Sequence, residues 1–161
     1  MAFDLVTIHT VLSFVAIAAG VVVVYELLRA GATPFWTVLF LATSILTSAT
    51  GYLFPFNGVL PSHVVGGFAL LVLAVVLAAR YALGLGGPWR KVDAIGMVAS
   101  LYFLVFVLVA QGFAKIPSLH VLAPTQSEPP FAIAQAAVLA LFVWLGIGVT
   151  RTAGRFGRAM A

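Results

Sequence analysis

The chain has 161 residues, of which 63% are hydrophobic and 7% charged, with a mean hydropathy of +1.20. Soluble domains carry about 25% charged residues, so this composition excludes a water-soluble fold and describes one domain whose solvent is lipid. The net charge of +4 comes from basic residues at segment ends rather than from one patch, which argues against nucleic acid as a partner. With no cysteine there is no disulfide, thiolate metal site or iron–sulfur cluster.

Five stretches reach the length of about 20 mainly apolar residues that a bilayer crossing requires. They are Asp4–Leu28, Phe35–Phe54, Pro61–Leu83, Trp89–Ile116 and Phe131–Thr150, each bounded by glycine, proline or charge. Met1–Asp4 lacks the basic region of a cleavable signal, and the run after it is long enough to span. Hydrocarbon offers no water to the backbone, so each stretch must be a helix that satisfies its own peptide groups. The fold class expected is all-α, an integral membrane bundle of five transmembrane helices. Arg29, Arg80, Arg90, Lys91, Arg151, Arg155 and Arg158 fall on one side of this arrangement and only Lys115 on the other. The positive-inside rule then places the amino terminus outside and the carboxyl terminus in the cytoplasm, with Trp36 and Trp89 as interfacial anchors.

In the first segment His9, Ser13, Ala16 and Gly20 form one stripe at i, i+4, i+7, i+11. Small residues let helices approach closely, so this stripe is expected to face the bundle and to turn His9 inward. Near the other end Glu26 and Arg29, spaced i, i+3, are expected to pair at the interface rather than serve a proton relay. The second segment ends in a hydroxyl-rich face of Thr43, Thr47 and Thr50, and Thr47–His63 reads as helix end, turn and helix start. Pro55, Asn57 and Gly58 punctuate that turn, Pro61 suits the first helical turn beyond it, and His63 follows within one turn.

Gly66 and Gly67 in the third segment mark another close approach. The fourth places Asp93, Ser100 and Gln111 on one face, with Asp93 expected in the first turn, where the helix dipole favours a carboxylate. Gln111 lies about 7 Å inside the boundary at Ile116, and Gln135 of the fifth segment lies at a similar depth. Between them the connection 117–130 is proline-restricted and partly apolar, and it carries His120, Gln126 and Glu128. Two readings of it stand: a lid over the outer mouth of the bundle, or an interfacial loop that covers helix ends.

Every helix thus contributes a polar group near the outer leaflet: His9, Thr47 and Thr50, His63, Gln111, Gln135. One reading makes them interhelical hydrogen bonds, worth about 0.6 kcal/mol each. The other makes them an outward-facing pocket, because polar groups in hydrocarbon tend to face a cavity. Imidazoles ligate haem iron or a divalent metal such as copper or zinc, and a metal set would draw on His9, His63, His120 and Glu128. A quinone head needs only hydrogen-bonding groups, which His, Gln and Thr supply, and apolar walls. No HExxH, phosphate loop or GxSxG is present to support hydrolase or nucleotide chemistry. The leading expectation is a ligand-binding or redox-accessory membrane protein for haem, metal or quinone. The alternatives are an assembly subunit of a larger membrane complex or a homo-oligomer without ligand, and a small transporter or channel.

The segments TSATGYLFPF, PSHVVGG and LAPTQSEPPF resemble recurrent motifs of an uncharacterised family of small bacterial inner-membrane proteins. The resemblance covers most of the chain. It implies a compact multi-helix protein of a bacterial plasma membrane and assigns no catalytic or binding residue.

The charge bias generates a topology test. A reporter fused after Ala161 should be active only as a cytoplasmic fusion, and one fused before Met1 only as an external one. Both termini on one side would break the five-span reading.

Overall fold

A computed structural model describes residues 4–29, 31–54 and 61–159, without the side chains of 61, 62 and 155–159. Its elements are α1 (Leu5–Leu28), α2 (Pro34–Gly51), α3 (Pro61–Leu77), α4 (Trp89–Lys115), α5 (Pro117–His120) and α6 (Pro129–Ala159). Helix α3 runs on into one π-helical turn, Ala78–Ala82, and no strand occurs among the described residues. Among the described residues, five helices are long and apolar enough to cross a membrane: Leu5–Leu28, Pro34–Gly51, His63–Ala82, Trp89–Lys115 and Pro129–Gly154. The chain is therefore an all-α, multi-pass bundle. The expected turn residues Pro55, Asn57 and Gly58 lie outside the described residues, as do the side chains of Pro61, Arg155 and Arg158.

Helices α1 and α4 are the central pair. The first packs on α2, α4 and α6, the second on α1, α3, α5 and α6, and α2 closes the ring against α3. The core between them is Val23, Phe40, Leu73, Val76 and Met97, all fully buried, with Leu101 beside them. What lets the helices meet is the absence of side chains at three crossings. A Cβ on Gly20 would stand 2.7 Å from both Leu101 Cδ1 and Phe40 Cε2, so α1 touches α2 and α4 through its own backbone. Gly96 brings α4 onto Val76 of α3, and Gly148 brings α6 to within 2.7 Å, measured from a Cβ built there, of Leu28 Cδ2. Ala16 and Gly20, of the stripe read from sequence, are buried, and Ser13 and His9 above them are half-buried. Helix α6 is the most peripheral, with Ile133, Val143 and Trp144 exposed on a face that meets lipid.

At the end of the bundle opposite the histidines, polar residues join helices. Glu26 accepts the Thr33 backbone N–H at 2.7 Å and the Thr33 hydroxyl at 2.6 Å, which ties the end of α1 to the start of α2. The Glu26–Arg29 pair expected from their spacing does not form, because α2 offers that carboxylate two donors. Arg29 instead lies 4.7 Å from the Tyr25 ring centroid.

Asp93 also departs from expectation. It sits beyond the first turn of α4 and accepts Arg80 Nε at 3.1 Å and Nη2 at 2.7 Å, with both side chains largely buried. The wider π turn carries Arg80 round the end of α3 toward α4. Removing one partner of such a pair strands a buried charge and costs about 3–5 kcal/mol. The chain reverses between α3 and α4 through Gly84 and Gly87 at φ +60° and +51°. Helix α6 runs past Thr150, where the apolar pattern stops, because Arg151 ends the hydrophobic run without ending the backbone ladder.

The Gly20 crossing yields a stability prediction. Gly20→Leu should lower the thermal unfolding temperature in nonionic detergent by an overpacking cost of about 1–3 kcal/mol. Val21→Leu, on the exposed neighbouring face, should leave it unchanged.

Candidate functional site

At the histidine end the four helices α1 to α4 enclose a cavity of about 520 Å³. Its walls are mostly apolar, and His9, Thr47, His63, Gln111 and Lys115 converge on it. The topology explains the convergence: α1 and α3 begin at this end and α2 and α4 finish there, so early residues of two helices face late residues of two others.

The last turn of α2 organises both imidazoles. His9 Nδ1 lies 3.0 Å from Thr50 Oγ1, and the Thr50 hydroxyl donates to Leu46 O at 2.7 Å. A threonine has one proton to give. In the tautomer that donates its Nδ1–H to Thr50, the ring keeps Nε2 as an acceptor. The ring stands edge-on to Phe54 at 5.3 Å between centroids and rests over Gly51, where a Cβ would be only 3.7 Å from His9 Cε1. Two residues along from Thr50, Tyr52 turns the other way. Its hydroxyl donates to His63 O at 2.6 Å, and its ring lies 5.6 Å from the His63 ring. Gly66 and Gly67 make room for that phenol, since a Cβ on Gly67 would approach its oxygen to 3.1 Å. His63 itself is 8% exposed.

The hydroxyls differ in a way that bears on the cavity. Ser13, Thr43 and Thr50 each bond a carbonyl of their own helix, the usual resort of a hydroxyl in an apolar setting. Thr47, 6% exposed, does not: its Oγ1, like the hydroxyls of Thr37, Ser44 and Ser100, is buried without a partner. Buried polar atoms without a partner are uncommon, and this one belongs to a cavity-lining residue.

Other residues expected at the site are elsewhere. Gln135 donates to Phe106 O at 3.1 Å and stitches α6 to α4 without lining the cavity. The connection after α4 folds onto that helix: Ala123 is fully buried and Gln126 donates to Ala110 O at 2.8 Å. None of its residues lines the cavity, so the structure does not form the expected lid. His120 is exposed. Burial opposes ionisation of Glu128, but hydrogen bonds from Thr125, its own amide and Ser127 outweigh it and hold the carboxyl below its ordinary pKa. The expected metal set of His9, His63, His120 and Glu128 is thus not assembled. Among the described residues, no three His, Asp or Glu side chains form a group that could hold a metal ion.

Two lining residues had no place in the sequence reading of the site. Tyr52 is inside the TSATGY stretch, and its spacing there assigns it no role. Lys115 was legible only as the one basic residue at the histidine end. Comparison with known proteins finds no matching family model, no similar curated protein and no similar solved structure.

The Tyr52 contact can be measured directly. Tyr52→Phe removes a hydrogen bond but keeps the ring, and should cost about 0.5–1.5 kcal/mol in thermal or denaturant unfolding. No change would show that the ring alone seats His63.

Proposed function

We propose that this chain is a membrane-embedded binding protein that holds one membrane-soluble amphiphile in the cavity between α1 and α4. The polar head sits against His9, Thr47, His63 and Gln111, and the chain follows the apolar walls. The observation that carries this reading is an apolar cavity of about 520 Å³ on which the polar groups of His9, His63 and Gln111 converge from three helices. His9 adds an acceptor through Nε2, and Gln111 adds both a donor and an acceptor. Quinones are one class with such a head and tail.

The core supports binding over conduction, since Phe40 and Met97 are fully buried between this cavity and the opposite end. Haem has less support than an amphiphile, because each imidazole is seated on different residues of the α2 end. The basic bias favours a cavity near the outer leaflet with the amino terminus outside, and the resemblance of the three segments implies a bacterial plasma membrane.

Native mass spectrometry of protein released from nonionic micelles should show one retained amphiphile per chain. Ser13→Trp, which fills the cavity, should abolish retention, whereas Val143→Trp on the lipid face of α6 should not. A wild-type chain that carries no adduct, and that gains no thermal stability from decyl-benzoquinone or dodecanoate, would overturn the proposal.

A further inference from the structure

The charges around the cavity are one-sided. Its ionisable lining groups are His9, Tyr52, His63 and Lys115, and among the described lining residues none is Asp or Glu. Lys115 is in the last turn of α4 and lines the cavity together with His9. The α4 carbonyl ends offset that charge in part, a contribution confined to the last turn of the helix. No carboxylate completes the offset. The ion pair formed among the described residues is Arg80–Asp93, on the opposite end of the bundle. At the histidine end, Glu128 is engaged by Thr125 and Ser127, and Asp4 precedes α1 without lining the cavity. Lys115 is exposed at the edge of this apolar cavity, and an anionic head seated there gains a charge-assisted contact that a neutral head lacks.

A neutral head such as a quinone carbonyl satisfies Gln111 and Thr47 but leaves the Lys115 charge uncompensated. An oxyanion satisfies all three, and hydrogen bonds to charged groups are about twice as strong as neutral ones. We infer that the amphiphile carries an oxyanion head, a carboxylate or a phosphate, held by Lys115 together with Gln111 and the Thr47 hydroxyl. This rests on the binding role proposed above and narrows it to anionic amphiphiles. Lys115 is then the specificity-determining residue of the cavity.

The test is displacement of radiolabelled dodecanoate from the full chain in nonionic detergent. Unlabelled dodecanoate and dodecyl phosphate should displace it at least about tenfold more effectively than dodecanol or decyl-benzoquinone, the ratio expected of one charge-assisted hydrogen bond. Inorganic phosphate, which lacks a chain, should not compete. Lys115→Gln should erase the gap between anionic and neutral competitors and Lys115→Arg should retain it. Arg151→Gln, an exposed basic residue at the far end of α6, should leave the gap intact and so exclude general attraction to a basic surface.

Equal displacement by dodecanol and dodecanoate would overturn the oxyanion inference while leaving amphiphile binding in place, as would an undiminished gap in Lys115→Gln. Absence of saturable dodecanoate binding, with decyl-benzoquinone binding intact in a direct assay, would also overturn the inference alone. Failure of every probe to bind would overturn both. The comparison of competitors on the wild-type chain is decisive even if a variant fails to fold.

Discussion

Hydrocarbon does not hydrogen-bond, and the architecture of this protein follows from that. A backbone surrounded by lipid must satisfy itself, so five long helices are the outcome. Side chains obey the same constraint. Ser13, Thr43 and Thr50 turn back onto carbonyls of their own helices, Gln135 reaches Phe106 O across to α4, and Glu26 finds both donors of Thr33. Asp93, the most deeply buried carboxylate, has a two-pronged guanidinium partner that a π turn of α3 delivers to it. The buried hydroxyls of Thr37, Ser44, Thr47 and Ser100 depart from this pattern, and of these residues Thr47 lines the cavity.

The two ends of the bundle differ because close packing is unevenly distributed. Gly20, Gly96 and Gly148 draw α1, α3, α4 and α6 together through the middle and toward the Arg80–Asp93 end. With no lipid-driven hydrophobic force between helices, contact of this kind is a main source of association. Toward the histidine end small residues such as Ser13, Gly51, Gly66 and Ala69 border the cavity between larger apolar ones such as Phe14, Leu104 and Val107. The cavity is the consequence of where the small residues stop being matched by large ones.

Within that cavity the end of α2 acts as a double bracket. Thr50, Gly51 and Phe54 seat His9, and Tyr52 seats His63. With its proton turned to Leu46 O, Thr50 can accept from His9 Nδ1, which leaves Nε2 free to accept. Lys115 gives the same space a positive character, so hydrogen-bonding geometry and charge are contributed by different helices.

The sequence by itself determined what depends on length and on spacing within one helix. The apolar runs gave five spans, and the His9–Gly20 stripe gave the packed face of α1, since a period near 3.6 sets which residues share a side. Alternating chain direction then gathered His9, Thr47, His63 and Gln111 at one end without further information. Only the tertiary structure decided how each helix is rotated against its neighbours. That rotation turned Gln135 onto α4 and away from the cavity, gave Glu26 to Thr33 rather than to Arg29, and brought Arg80 to Asp93. It also folded the connection bearing His120 and Glu128 along α4 instead of over the mouth, and set Lys115 at the cavity's edge. These outcomes rest on contacts between residues far apart in the chain, such as Gly20 against Leu101 and Phe40, and spacing along a single helix carries no record of them.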